Sequence, residues 1–170
     1  MTQTPGVLVV MGVSGSGKTT VGALLARRLG WTFKEGDELH PAANVAKMAA
    51  GHPLTDADRA PWLEAIGAWI DARLAEGDRA VISCSALKRA YRDRLAEGRP
   101  QLRFVYIDVD QATVAERLAR RKGHFFPPSL LASQYADLQP PGADEPVIAV
   151  DGRLAPAAQA QKVAADLARA

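Results

Sequence analysis

Residues Gly12-Val13-Ser14-Gly15-Ser16-Gly17-Lys18-Thr19 match the pattern G-x-x-x-x-G-K-[ST]. That combination of residue types suits the binding of phosphate. Glycines let successive N–H groups turn inward onto phosphate oxygens, and a following helix adds the partial positive charge of its N-terminus. Lys18, facing solvent in the empty loop, then reaches the β and γ phosphates, and the Thr19 hydroxyl ligates Mg²⁺. Thr20 extends the phosphate-binding run. The strings a GTPase needs, Asn-Lys-x-Asp and Asp-x-x-Gly, do not occur, nor does a transporter-type Ser-Gly-Gly-Gln. Among users of nucleoside triphosphates, a small-molecule kinase is the class these residues favour.

Such an enzyme needs an acceptor side. Glu35 and Asp37 flank Gly36, and two carboxylates near phosphates repel them unless a cation or a hydroxyl donor lies between. One suits a water-mediated Mg²⁺ contact. The other suits an attacking hydroxyl, whose proton it accepts or orients. The plainer alternative is a polar turn capping the next helix. His40, Asn44 and Lys47 or Met48 recur at helical spacing, so one face would line a pocket. Arg59 stands in the first turn of a helix, where the dipole disfavours a cation. That conflict suggests a carboxylate partner, with pairing to Asp56 or Asp58 equally open. Lys88 and Arg92 are four apart on one helix face and suit an anionic acceptor. Cys84 has no activating partner in view and reads as a small buried residue.

The most basic stretch runs from Glu116 to Pro128. Arg117 and Arg121 are four apart, so both would face the phosphate site, where guanidinium groups stack on adenine or clamp phosphoryl oxygens. Gly123 permits hinging, and Phe125 and Phe126 would cover the site against water. A solvated helix end, favourable to its own dipole, accounts for Arg120 and Lys122 but poorly for the two phenylalanines.

These residues must be held by a scaffold. Apolar runs at Gly6–Met11, Trp31–Phe33, Arg79–Cys84, Leu102–Val109 and Val147–Val150 read as strands. Helical spacing covers 18–29, 41–50, 86–97, 111–121 and 156–169. A capping box at Thr55–Asp58 opens a longer helix that Gly77 ends. Residues 123–144 read as loop with one short helix at 130–137. Strands alternating with helices imply a mostly parallel sheet covered on both faces, with ligands at the carboxyl ends of the strands. A chain of 170 residues allows one domain of this kind. Twenty-one Lys and Arg against 19 Asp and Glu leave a net charge of +2, too little to expect nucleic acid or a membrane surface as partner. The longest early apolar run is far too short to span a bilayer. One cysteine excludes an internal disulfide and fits a cytoplasmic setting.

Taken together, several ordered motifs resemble the gluconate kinases. They are Met11 through Lys18, Gly36-Asp37 with His40-Pro41, Asn44 with Lys47-Met48, and Pro53-Leu54 with Asp56, Asp58-Arg59 and Pro61-Trp62-Leu63. Further along come Cys84-Ser85-Ala86-Leu87-Lys88, Tyr91-Arg92-Asp93, Arg121 through Phe126, and Gln134 with Leu138-Gln139 and Pro141 through Glu145. The Cys-Ser-Ala-Leu-Lys and Arg-Lys-Gly-His-Phe-Phe runs are the most family-specific. The resemblance implies an α/β P-loop NTPase fold, a five-stranded parallel sheet flanked by helices, forming a single domain over 1–170 with a mobile lid near 121–142. It also implies ATP- and Mg²⁺-dependent phosphorylation of D-gluconate at its 6-hydroxyl, and a homodimer. By similarity, Lys18, Asp37 and Arg121 would be catalytic. Residues 12–20 with Arg117 and Arg121 would bind nucleotide, and Thr19 and Glu35 would face the metal. Asp37, His40, Asn44, Lys47, Arg59, Lys88, Arg92, His124 and Gln134 would meet the acceptor. The family often has Asp where this chain has Glu35. The rival expectations are a kinase for another small hydroxy acid, such as shikimate, and a nucleotide-binding module without catalysis.

Overall fold

A computed structural model describes residues 5–121 and 128–169. Five strands form one sheet: β1 (Val7–Met11), β2 (Thr32–Glu35), β3 (Ala80–Ser83), β4 (Leu102–Asp108) and β5 (Val147–Asp151). Their spatial order is β2-β3-β1-β4-β5, and every pairing is parallel. The helices are α1 (Lys18–Leu29), α2 (Ala42–Ala49), α3 (Asp56–Ala75), α4 (Arg89–Ala96), α5 (Gln111–Arg120), α6 (Pro128–Asp137) and α7 (Pro156–Ala168). No helix among the described residues is long and apolar enough to cross a membrane.

The central strand shows why the sheet is buried on both faces. All five residues of β1 are buried, and their side chains alternate between two cores. Val7, Val9 and Met11 pack with Phe104 of β4 and with Trp62, Ile66 and Ile70 of α3. Leu8 and Val10 pack with Val21 and Leu25 of α1 and Val163 of α7. A third, smaller core joins Val13 and Val114 to Leu131 and Tyr135 of α6. The segment expected to form the lid therefore carries a helix, α6, seated beside the phosphate loop.

Two local regions depart from the sequence expectations. The helix expected from Ala86 begins only at Arg89. Ala86 has φ 46°, and its carbonyl and that of Leu87 accept from Arg92 instead of continuing a helical ladder. The Ser85 carbonyl meanwhile accepts from Gly12 N at 3.2 Å, so this turn braces the phosphate loop. The second strand starts at Thr32 and runs to Glu35, and the turn after it winds into a 3-10 helix at Gly36–Leu39. Gly36 makes that turn possible: a Cβ there would fall 1.8 Å from the Ser83 carbonyl oxygen. The capping box forms as expected, Thr55 Oγ1 accepting from Asp58 N and Asp58 Oδ2 accepting from Thr55 N.

Candidate active site

The phosphate loop links β1 to α1 at the carboxyl edge of the sheet, with Gly17 as N-cap at φ 104°, a conformation costly for any residue with a Cβ. Gly12, Val13 and Ser16 are buried, Ser14, Gly15 and Gly17 half-buried, and Thr19 and Thr20 exposed on the first turn of α1. The buried Ser16 hydroxyl has no hydrogen-bond partner among the described residues.

Lys18 does not face solvent in the empty loop, contrary to the sequence expectation. Its ammonium turns back and donates to the carbonyls of Gly12 (3.0 Å) and Val13 (2.9 Å). Burial lowers its pKa. Asp37, Cys84 and Glu35 nearby oppose that shift, while Arg121 reinforces it.

Thr19 and Glu35, paired in sequence terms only by a common metal role, are in direct contact. Thr19 Oγ1 donates to Glu35 Oε2 at 2.5 Å. The other carboxylate oxygen accepts from Ser83 Oγ at 2.5 Å, and Ser83 Oγ in turn accepts from Gly36 N. Ser83 was not singled out in the sequence, although its place at the carboxyl end of a strand was the available signal. The oxygens gathered here suit a hard cation that completes its shell with water and phosphate. Among the described residues no cluster of three His, Cys, Asp or Glu side chains forms a metal cage.

Asp37 is exposed on the 3-10 turn. Ser14, Lys18, Asp37 and Met48 border two adjoining pockets. One runs over Gly15, Thr19, Thr20 and Glu35 to Arg121. The other is walled by His40, Arg59, Trp62, Leu130 and Gln134. A third groove continues from Gly15 and Thr20 past Arg117 and Arg121 to Arg153, Pro156 and Gln159, none of the last three singled out in the sequence. Arg117 is fixed there by donation to the Gly152 carbonyl at 2.6 Å.

The expected acceptor residues divide into those that reach the second pocket and those that do not. Arg59 lines it, buried, and its partner is neither Asp56 nor Asp58. Nη1 donates to Tyr91 OH (2.9 Å) and to Asp137 Oδ2 of α6 (3.1 Å), while Nε and Nη2 have no partner among the described residues. Gln134 lines the pocket and clasps the phosphate loop. Its Oε1 accepts from Ser14 N at 2.7 Å, and its Nε2 donates to Ser14 Oγ at 2.9 Å. His40 lines it too, its ring stacked on Trp62.

Asn44 and Lys47 face α3 instead of the pocket. Asn44 donates to the Asp58 carbonyl, and Lys47 pairs with Asp58 Oδ2 at 2.6 Å, which holds the Asp58 carboxyl down at about 2. Lys88 pairs with Asp56 at 2.9 Å and does not line the pocket. Tyr91 OH donates to the same Asp56 oxygen, so the Asp56 carboxyl titrates low, Tyr91 contributing most and Lys88 next.

Arg92 corrects the sequence expectation outright. It is buried, and its five N–H groups are all engaged. Nε and Nη2 donate to Glu145, Nη1 to the carbonyls of Ala86 and Leu87, and Nη2 also to the carbonyl of Gln139. A guanidinium has no sixth donor to offer an acceptor. His124 lies outside the described residues. Cys84, beneath the site, is pushed up to about 12 by burial and is no nucleophile.

A family model described as an AAA domain matches residues 7–141. The gluconokinase of Gluconobacter oxydans (strain 621H) is 57% identical over 152 residues, covering 89% of this chain and 85% of that protein. Among solved structures, a gluconokinase from Sinorhizobium meliloti 1021 is 48% identical with a TM-score of 0.87, covering 98% of this chain and 94% of that one. An unliganded sugar kinase from Janibacter sp. HTCC2649 is 44% identical with a TM-score of 0.90, covering 96% of each chain.

Proposed function

The chain belongs to the gluconokinase family, and from that premise we propose that it transfers the γ-phosphoryl group of ATP to the 6-hydroxyl of D-gluconate, giving 6-phosphogluconate and ADP. The observation that carries this reading is the shared border of the two pockets. Lys18 and Asp37 stand where a phosphate-lined groove meets an acceptor pocket holding a buried arginine.

Phosphoryl transfer passes through a loose transition state, so positioning and charge neutralisation do most of the catalysis. The loop N–H groups and the start of α1 hold the β and γ phosphates. Lys18 leaves the Gly12 and Val13 carbonyls and bonds the oxygens of the transferring group. Asp37 accepts a hydrogen bond from the acceptor hydroxyl and aligns it with phosphorus. Arg59 turns its free N–H groups on the carboxylate of gluconate, with Asp137 and Tyr91 fixing its plane. Arg117 and Arg121 serve the base and the phosphates. Thr19 and Glu35 would hold Mg²⁺, which when bound neutralises phosphate charge. Residues 121–142 act as the lid, and Gln134 couples it to the phosphate loop through Ser14. By family resemblance the working unit is a homodimer, and the lone cysteine fits a reducing, cytoplasmic setting.

A coupled ADP-release assay across gluconate, shikimate, glycerate and related acids tests the reading. Robust turnover with gluconate is expected. Turnover confined to another acid would replace the substrate. Nucleotide binding with no acceptor-stimulated ADP release would leave only a binding module.

A further inference from the structure

His40 has a different neighbour at each ring nitrogen. Nδ1 lies 3.2 Å from Asn44 Nδ2, and Nε2 lies 3.9 Å from Asp37 Oδ1. The ring is held in plane by Trp62, at 4.0 Å between centroids and 15° between planes. Trp62 is itself fixed by donation from Nε1 to the Gly36 carbonyl at 2.9 Å.

Asn44 decides which nitrogen carries the proton. Its side chain is buried between α2 and α3, and its Nδ2 lies 2.8 Å from the Asp58 carbonyl oxygen. A carbonyl only accepts, so the nitrogen of the amide, and not its oxygen, must sit there. The second hydrogen of that nitrogen is left for His40 Nδ1. Nδ1 must therefore accept, and the proton of the neutral ring is on Nε2. An imidazolium would instead set N–H against N–H.

Other groups around the ring act in both directions. Arg59 of α3 opposes a positive charge on His40, and Asp37 on the 3-10 turn favours one. Lys18 lies across the pocket on α1. The Asp58 carboxylate is turned away onto Lys47 and Thr55, and Asp137 of α6 onto Arg59. Burial is the largest influence and lowers the His40 pKa, with Asp37 opposing and Arg59 reinforcing.

We propose that Asn44 is a positioning residue that keeps His40 as its neutral Nε2–H tautomer. That N–H then donates to a hydroxyl oxygen of the polyhydroxy acceptor and leaves the Asp37 carboxylate free for the reacting hydroxyl. A charged His40 would pair with Asp37 and take that carboxylate from the substrate. The role in acceptor recognition rests on the function proposed above, whereas the tautomer follows from the protein's own contacts.

Long-range ¹H–¹⁵N correlation spectra of the ligand-free protein, labelled at its three histidines, read the tautomer directly. A His40→Gln sample identifies the His40 signals. The expected result is a neutral Nε2–H ring at neutral pH. An Nδ1–H ring, or an imidazolium at that pH, would overturn the proposal. This spectrum needs no turnover, so a protein inactive on gluconate would defeat the substrate reading while Asn44's hold on His40 was still judged.

The kinetic test is Asn44→Asp, whose carboxylate would accept from Nδ1–H and favour the imidazolium. The acid limb of log kcat/KM for gluconate should move up by about one pH unit, roughly a tenfold loss of activity below the limb. In a His40→Gln background the same substitution should leave the limb where it is. An even loss across all pH would mean Asn44 is merely structural.

Discussion

Arg92→Ala separates a structural arginine from a substrate-binding one. Arg92 and Glu145 side chains are only 1% and 3% exposed, so the substitution strands a buried carboxylate. Breaking a buried pair from one side costs about 3–5 kcal/mol. The carbonyls of Ala86, Leu87 and Gln139 lose a donor at the same time. At about 2–4 °C per kcal/mol for a domain of this size, the melting temperature should fall by about 6–20 °C. Replacing both partners, Arg92→Met with Glu145→Leu, should recover much of that loss, because no unpaired charge then remains.

The contribution also depends on pH, with a definite sign. Hydrogen bonding from Arg92 holds the Glu145 carboxyl below the usual glutamate value of 4.5. A group whose folded pKa is depressed stabilises the fold fully above its unfolded pKa and loses that effect as pH falls through the folded value. The difference in melting temperature between the parent protein and Arg92→Ala should therefore be full at neutral pH and shrink in acid. The shrinkage starts where the stranded, desolvated Glu145 of the variant takes up its proton and ends where the paired Glu145 of the parent does. Thermal unfolding followed by circular dichroism across pH measures it. An Arg92→Ala protein that melts within about 2 °C of the parent yet has a much raised KM for gluconate would refute the reasoning and return Arg92 to the acceptor site.

Other perturbations follow from the same contacts. Gly36→Ala should cost about 3 kcal/mol or more, since a backbone oxygen cannot swing away from the new Cβ; melting near that of the parent would contradict the close approach to Ser83. Ser83→Ala frees one oxygen of Glu35, so the magnesium concentration for half-maximal rate should rise about tenfold, with the gluconate KM at saturating magnesium unchanged. Lys18→Ala should lower kcat by about 10²–10³-fold. Its fold should survive with a loss within about 2 kcal/mol, because only two carbonyl contacts of a desolvated ammonium are removed, and an unfolded variant would tie Lys18 to the fold itself.

The chemistry that was legible in the sequence is the chemistry written in short runs. The phosphate loop packs its glycines, Lys18 and Thr19 into eight residues, and the Thr55–Asp58 capping box needs four. The alternating burial of β1 was equally local. Long side chains were another matter. Arg59 finds Asp137 seventy-eight positions away, and Arg92 finds Glu145 fifty-three away, and no spacing rule reaches that far. The helical spacing expected from His40 through Asn44 to Lys47 or Met48 holds only from Asn44 onward, since His40 is extended and precedes α2. α3 packs against that face, so Lys47 pairs with Asp58, Asn44 divides its amide between the Asp58 carbonyl and His40, and His40 and Met48 are the ones that reach the pocket. The late start of α4 hid for a different reason. Ala86 takes a positive φ without the glycine that usually announces one.

The central claim is that the pocket beside Lys18 and Asp37 presents the 6-hydroxyl of gluconate to ATP. Phosphorus–proton correlation NMR of the product made from ATP and gluconate tests it most directly. The account predicts a single phosphate coupled to the two protons on C6. A phosphate coupled to any other carbon's proton, or no phosphorylated gluconate at all, would contradict it.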